Sequence, residues 1–174
     1  NHSPSTETHF VTVQDTTIPN VTSLIVTPSS LNQTQSTEFN VTISDNYGVD
    51  TVLAQIDYPN GTSVNLTLTN TSSSSFNVTF TSGLSYPTGQ YNITIIANDT
   101  SSNLNNSETT SFTLNDVTPP TVDGLLPSGG SSFPITSIID LAANATDNIA
   151  IGTVVANITY PNGSLQQVTL TNSI

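Results

Sequence analysis

The segment DNYGVDTVLAQIDYPNGTS at residues 45–63 returns as DNIAIGTVVANITYPNGSL at 147–165, displaced by 102 positions in a chain of 174. An internal period near 100 residues constrains the fold more than any other feature, because each copy must be large enough to bury its own core. Other landmarks keep nearly the same register. DTTIPNV from residue 15 and DVTPPTV from residue 116 stand 101 apart, as do STETHFVTVQD (5–15) and NSETTSFTLND (106–116), so one residue is inserted ahead of the second Asp-Asn. This register divides the chain into three parts. Residues 1–14 read as the last strand of a preceding unit or as a donor strand, 15–115 as a complete unit, and 116–174 as the first half of a second.

Within the complete unit, alternation of apolar and polar residues predicts strands over 21–27, 37–44, 51–58, 63–69, 75–81, 90–97 and 108–114, with no useful helical period. Separators such as PNGT, TNTSSS and NDTSSN space these segments as in an all-β, two-sheet antiparallel sandwich. Tyr91, within YPTGQY, stands where a tyrosine corner sits in such folds, although an ordinary core tyrosine reads the same way. YPNG at 58–61 and 160–163 signals a tight hairpin turn. Pro119 and Pro120 lack N–H groups and restrict the backbone, stiffening the junction between units. The second unit contains nothing that corresponds to 75–114. Half a sandwich leaves strand edges uncovered, so either a longer array continues it or a neighbouring copy adds strands. A gap about three strands wide favours the array.

Composition excludes several functions. The chain has no Lys or Arg against 12 Asp and Glu, a formal charge of -12. With no cation to displace phosphate counterions it cannot read nucleic acid, an anionic membrane surface would repel it, and no apolar run reaches the roughly 18 residues of a membrane span. Cysteine is absent, so neither disulfides nor thiol chemistry contribute. His2 and His9 are the only histidines, and neither recurs in the complete unit. Asp50 and Asp57 become Gly152 and Thr159 in the second copy. No catalytic constellation emerges, and the chain is expected not to be an enzyme.

Asn-x-Ser/Thr occurs at Asn1, Asn20, Asn32, Asn40, Asn60, Asn65, Asn70, Asn77, Asn92, Asn98, Asn105, Asn144, Asn157 and Asn162, 14 of the 20 asparagines. With 55 Ser and Thr in the chain, chance alone would place about six of the 20 in such triplets, so Thr-rich strands explain nearly half of them. Period-two alternation puts Asn40, Asn77 and Asn92 on the face opposite their apolar neighbours, where a glycan has room. The sequence therefore reads as a folded, extracellular, N-glycosylated protein.

The Asp-x-Thr-x-Pro junction, the Asp-Asn turn and the segment ANDTSSN, an Ala-x-Asp-x-x-x-Asn pattern before the last strand, carry a family resemblance. In them the chain resembles the tandem immunoglobulin-like domains, of bacterial and archaeal type, in prokaryotic surface adhesins, S-layer-associated proteins and extracellular filaments. The resemblance implies tandem immunoglobulin-like sandwiches of about seven strands each and a scaffold role, more firmly architecture than activity. The expected function is a structural subunit of a glycosylated extracellular filament or surface stalk, its partners further copies of itself in a linear or helical assembly. The alternative is the stalk of a cell-surface adhesin whose binding domain lies outside this chain.

In a seven-strand sandwich the start of the first strand and the loops after the second and sixth strands share one pole. This gathers Asp15, Asp45, Asn46 and Asp99, with Glu108 close by, and in the next unit Asp116, Asp147 and Asn148. Without a protein cation, converging carboxylates must be solvated, capped by backbone N–H groups or bridged by a metal. Oxygen ligands of this kind suit Ca²⁺, so calcium at each pole is the expected cofactor beside covalent glycans. Plain side-chain turns in exposed loops are the competing reading.

Overall fold

Phe39, Val41 and Ile43 alternate with Asn40 and Thr42, and in the computed structural model of the chain, which describes residues 6–172, the first three are buried on one face. The same alternation builds two facing sheets. One holds β1 (Asn20–Thr27), β3 (Ser36–Ser44), β7 (Ser75–Thr81) and β6 (Thr69–Asn70), in that order. The other runs β2 (Ser30–Asn32), β10 (Thr109–Asn115), β8 (Gly89–Asp99), β4 (Val49–Asp57), β5 (Ser63–Thr67), with β9 (Leu104–Asn105) alongside β8. All seven predicted strands form, each within two residues at either end, as β1, β3, β4, β5, β7, β8 and β10.

Three short strands escape a periodicity argument: β2, β6 and β9. Pro28 explains the first. It offers no N–H to continue the β1 ladder, which ends at Thr27 opposite Glu38, and the chain crosses to the other sheet. There β2 pairs in parallel with β10, Leu31 beside Leu114, while every other pairing is antiparallel.

The core lies between the sheets. Val41 and Ile43 join Val52, Ala54 and Ile56 of β4 and Ile93, Ile95 and Ala97 of β8 in one buried cluster. At its far end Tyr91 stacks on Phe112, ring centroids 4.9 Å apart at 15°. The Tyr91 hydroxyl donates to the Pro87 carbonyl at 2.6 Å, so the tyrosine corner is formed. Burial, then the neighbouring Tyr58 and Tyr86, push the Tyr91 phenol up to about 12.

The YPNG turns are three-residue loops. Tyr58 closes on Thr62 by a 2.8 Å backbone bond, and Gly61 at φ +83° donates to the Tyr58 carbonyl. Pro presets the dihedral of the second turn position, and glycine takes the left-handed one without a Cβ clash. Tyr160, Gly163 and Ser164 repeat this geometry.

Outside the sandwich, residues 6–14 carry no strand, and Phe10, Val11 and Val13 are largely exposed. Residues 1–14 were read as the last strand of a preceding unit or as a donor strand, and their described part has no neighbouring ladder in this chain to receive it. Beyond residue 116, β11 (Thr121–Leu126) pairs with β12 (Ala142–Thr146), and β13 (Val154–Thr159) with β14 (Leu165–Leu170). These hairpins enclose an apolar cleft of about 260 Å³ lined by Val122, Leu125, Leu141, Ile151, Val154 and Leu170. No helix among the described residues is long and apolar enough to cross a membrane.

Candidate metal centre

Three carboxylates from distant parts of the sequence meet at the pole where β1 begins. Asp15 lies just ahead of β1, Asp45 in the loop between β3 and β4, and Asp99 at the end of β8. One oxygen of each lies within 4.8 Å of the others.

Each side chain is held by its own loop. Asp15 Oδ1 accepts the Thr17 N–H at 3.0 Å and the Asn46 amide at 3.2 Å. Asp45 Oδ1 accepts the N–H groups of Tyr47 and Gly48 at 2.8 and 2.9 Å. Asp99 Oδ1 accepts those of Ser101 and Asn103, both at 2.8 Å, while its Oδ2 takes the Asn103 side-chain amide at 2.7 Å. Asn103 also reaches the Asp15 backbone carbonyl at 3.2 Å, tying the last loop to the entering chain. The Thr17 N–H, then the Asn46 amide, hold the Asp15 carboxyl below its ordinary value.

Among the described residues these bonds leave two buried atoms without partners. Asp15 Oδ2 and Asp45 Oδ2 are buried and accept no hydrogen bond. Asp99 beside them is only 2% exposed. A buried carboxylate oxygen normally has a donor or a cation, and a chain without Lys or Arg has neither of those cations to send. The orphaned oxygens and the all-oxygen donor set fit a hard divalent cation such as Ca²⁺, which accepts carboxylates in flexible geometry. Asp15, Asp45 and Asp99 would hold it.

The remaining candidates lie as follows. Asn46 donates its amide to Asp15 and so braces that carboxylate. Glu108 is half-buried, its backbone carbonyl accepting the Ile95 N–H, and it is not in the cluster. In the second copy Asp116 caps the Thr118 N–H at 2.9 Å and Asp147 caps those of Ile149 and Ala150 at 2.8 and 3.2 Å. The local turns therefore repeat. Among the described residues, however, Asp15, Asp45 and Asp99 form the one carboxylate triplet, and Asn148 turns toward the complete unit. Asn103 is the residue that sequence reasoning passed over. Its signal was the final Asn of ANDTSSN, four positions after Asp99.

Of the glycosylation candidates, Asn20, Asn60, Asn65, Asn70, Asn92, Asn144, Asn157 and Asn162 are exposed, and Asn32, Asn40, Asn77, Asn98 and Asn105 are half-buried. Asn1 and His2 lie outside the described residues. His9 is exposed, 3.6 Å from Glu7. Asp50 accepts the Thr51 hydroxyl and Asp57 the Gln55 amide.

No protein family matches the chain, and no curated protein does. Among solved structures it is similar to a tetra-tandem repeat in the extending region of a large adhesion protein, with TM-score 0.56 and 20% identity over 90% of this chain and 39% of that one. What the two share is the fold. The chain spans well under half the length of that repeat region. A second similar structure is the SrpA adhesin from Streptococcus sanguinis, with TM-score 0.43 and 23% identity over 91% of this chain and 94% of that one. A third is the alkylpurine DNA glycosylase AlkC of Pseudomonas fluorescens, with TM-score 0.43 and 15% identity over 55% of this chain and 30% of that one.

Proposed function

We propose that this chain is a stretch of tandem immunoglobulin-like units in a glycosylated extracellular filament or stalk, with a structural role and no catalysis. The observation that carries this reading is the repetition of one local architecture along the chain. The Asp turn before the first strand, the Asp-Asn turn and the Pro-Asn-Gly hairpin recur in order with the same hydrogen bonds. A chain that repeats the landmarks of one unit head to tail builds length, and one without Lys or Arg also offers no trypsin sites.

Within this reading Ca²⁺ binds at Asp15, Asp45 and Asp99, neutralising the pole and tying the entering segment to two loops of the unit it enters. Glycans on exposed sequons cover the sides. The units continue by further copies in the same chain or by assembly with other copies. Electron microscopy of the native protein tests it, since uniform periodic rods support the filament and unstructured particles refute it. The second reading, the stalk of a surface adhesin, draws on the fold shared with the extending region of a large adhesion protein. In the same images it predicts an irregular string ending in a dissimilar tip.

A further inference from the structure

The pole opposite the carboxylates carries a different device. Gln33, in the turn between β2 and β3, is 3% exposed. Its amide nitrogen donates to the carbonyls of Leu84 and Tyr86 at 2.9 and 3.2 Å, and its backbone N–H to the Asn115 carbonyl at 3.0 Å. Among the described residues its side-chain carbonyl has a single partner, and that partner belongs to the next unit. Asn148 Nδ2 donates to Gln33 Oε1 at 2.9 Å and to the Leu84 carbonyl at 3.0 Å.

The covalent linker leaves from the same place. Asn115, the last residue of β10, donates its side-chain amide to Ser30 Oγ at 3.0 Å and the Leu31 carbonyl at 3.2 Å, which pins the exit of the chain beside Gln33. Two attachments at one pole fix an angle where one would leave a swivel. The turn that aims Asn148 is preformed, because Asp147 Oδ1 clamps the N–H groups of Ile149 and Ala150. In the complete unit Asn46 sits in the same kind of turn but spends its amide on Asp15.

We propose that Gln33 and the Leu84 carbonyl form a socket for the Asp-Asn loop of the following unit, and that the Asn148 clasp holds the two units at a fixed angle. The partner it recognises is a side-chain amide presented by an Asp-capped loop. A buried amide carbonyl left without a donor is disfavoured, so the closed joint is the one that satisfies Gln33. The contacts across the joint are amide to carbonyl, and none of Asp15, Asp45 and Asp99 takes part in them, which makes failure of the clasp distinguishable from failure of the calcium site.

Absence of cysteine lets two introduced labels report the joint in the full 174-residue chain. Ser63→Cys and Leu165→Cys occupy equivalent exposed positions of the two units, 102 residues apart. Spin labels there should show one narrow distance distribution by pulsed electron resonance. Asn148→Ala should at least double its width, and Asn148→Asp, which sets a carboxylate against two carbonyls, should do the same, both without shifting the thermal midpoint of the complete unit. EDTA should leave the unsubstituted joint narrow. An unchanged width in Asn148→Ala, a distribution already as broad in the parent, or broadening by EDTA to the width of Asn148→Ala would each overturn the proposal.

Discussion

Asp15 and Asp45, 30 residues apart in the chain, each tie one carboxylate oxygen to loop N–H groups and leave the other buried without a partner among the described residues. The orientation of both groups is therefore set, while their charge is not answered by any Lys or Arg. Everything proposed about the pole follows from this combination of fixed geometry and missing countercharge.

Calcium at about 100 times its dissociation constant should stabilise the complete unit by about 2.7 kcal/mol, which for a unit of this size raises the melting midpoint by about 10 °C or more. Asp45→Asn keeps the oxygen that caps Tyr47 and Gly48 but removes the charge. It should abolish the calcium response and, in EDTA, melt above the parent. Calorimetry with and without calcium checks both, and an EDTA-insensitive parent would count against the site.

Tyr91→Phe should destabilise the sandwich by about 1–2 kcal/mol, because it removes the 2.6 Å bond to Pro87 while keeping the stack on Phe112. Urea unfolding followed by circular dichroism measures the loss. No change would mean that the corner adds nothing beyond its ring.

The pH dependence has two limbs. Asp15 is held below its ordinary value of 3.8, so its contribution is present above that range and is lost as pH falls through the lower, folded value. Asp15→Asn should flatten this acid limb. Tyr91 is raised from 10.0 to about 12, so the folded state keeps a proton that the unfolded chain releases, and stability should decline as pH rises from 10 toward 12. Urea midpoints across both ranges, in EDTA, read the two slopes.

Glycan occupancy should follow the state of each amide nitrogen. At Asn60 and Asn162 the side-chain oxygen accepts the Thr62 or Ser164 hydroxyl at 2.7 Å, and both residues sit exposed at hairpin tips. Asn105 and Asn77 instead donate Nδ2 to the Pro19 carbonyl and to Glu38 at 2.7 and 2.9 Å. Glycopeptide mass spectrometry should find sugar at the first two and little at the second two.

The sandwich was legible because its strands are long enough for period two to repeat, as in Phe39, Val41 and Ile43. The short strand β2 was not, since three residues carry no period and its place depends on where Pro28 releases the chain. The carboxylate triplet could be read from topology, as loops at one pole must approach each other. What topology leaves open is which oxygen each loop keeps for itself. That depends on the N–H groups of Thr17, Tyr47 and Ser101, and on Asn103, whose reach to Asp15 spans 88 positions. The Gln33 socket was illegible for the same reason. Its partner lies 115 residues away, and nothing about a Gln in a turn announces that its carbonyl awaits another unit.

Electron microscopy of the native protein tests most directly the claim that these units build length. The longest strand, β8, has 11 residues, which at a rise of 3.3 Å each makes a unit about 4 nm long. The account predicts straight segments of uniform width with an axial repeat of about 4 nm; compact particles without an axial repeat would contradict it.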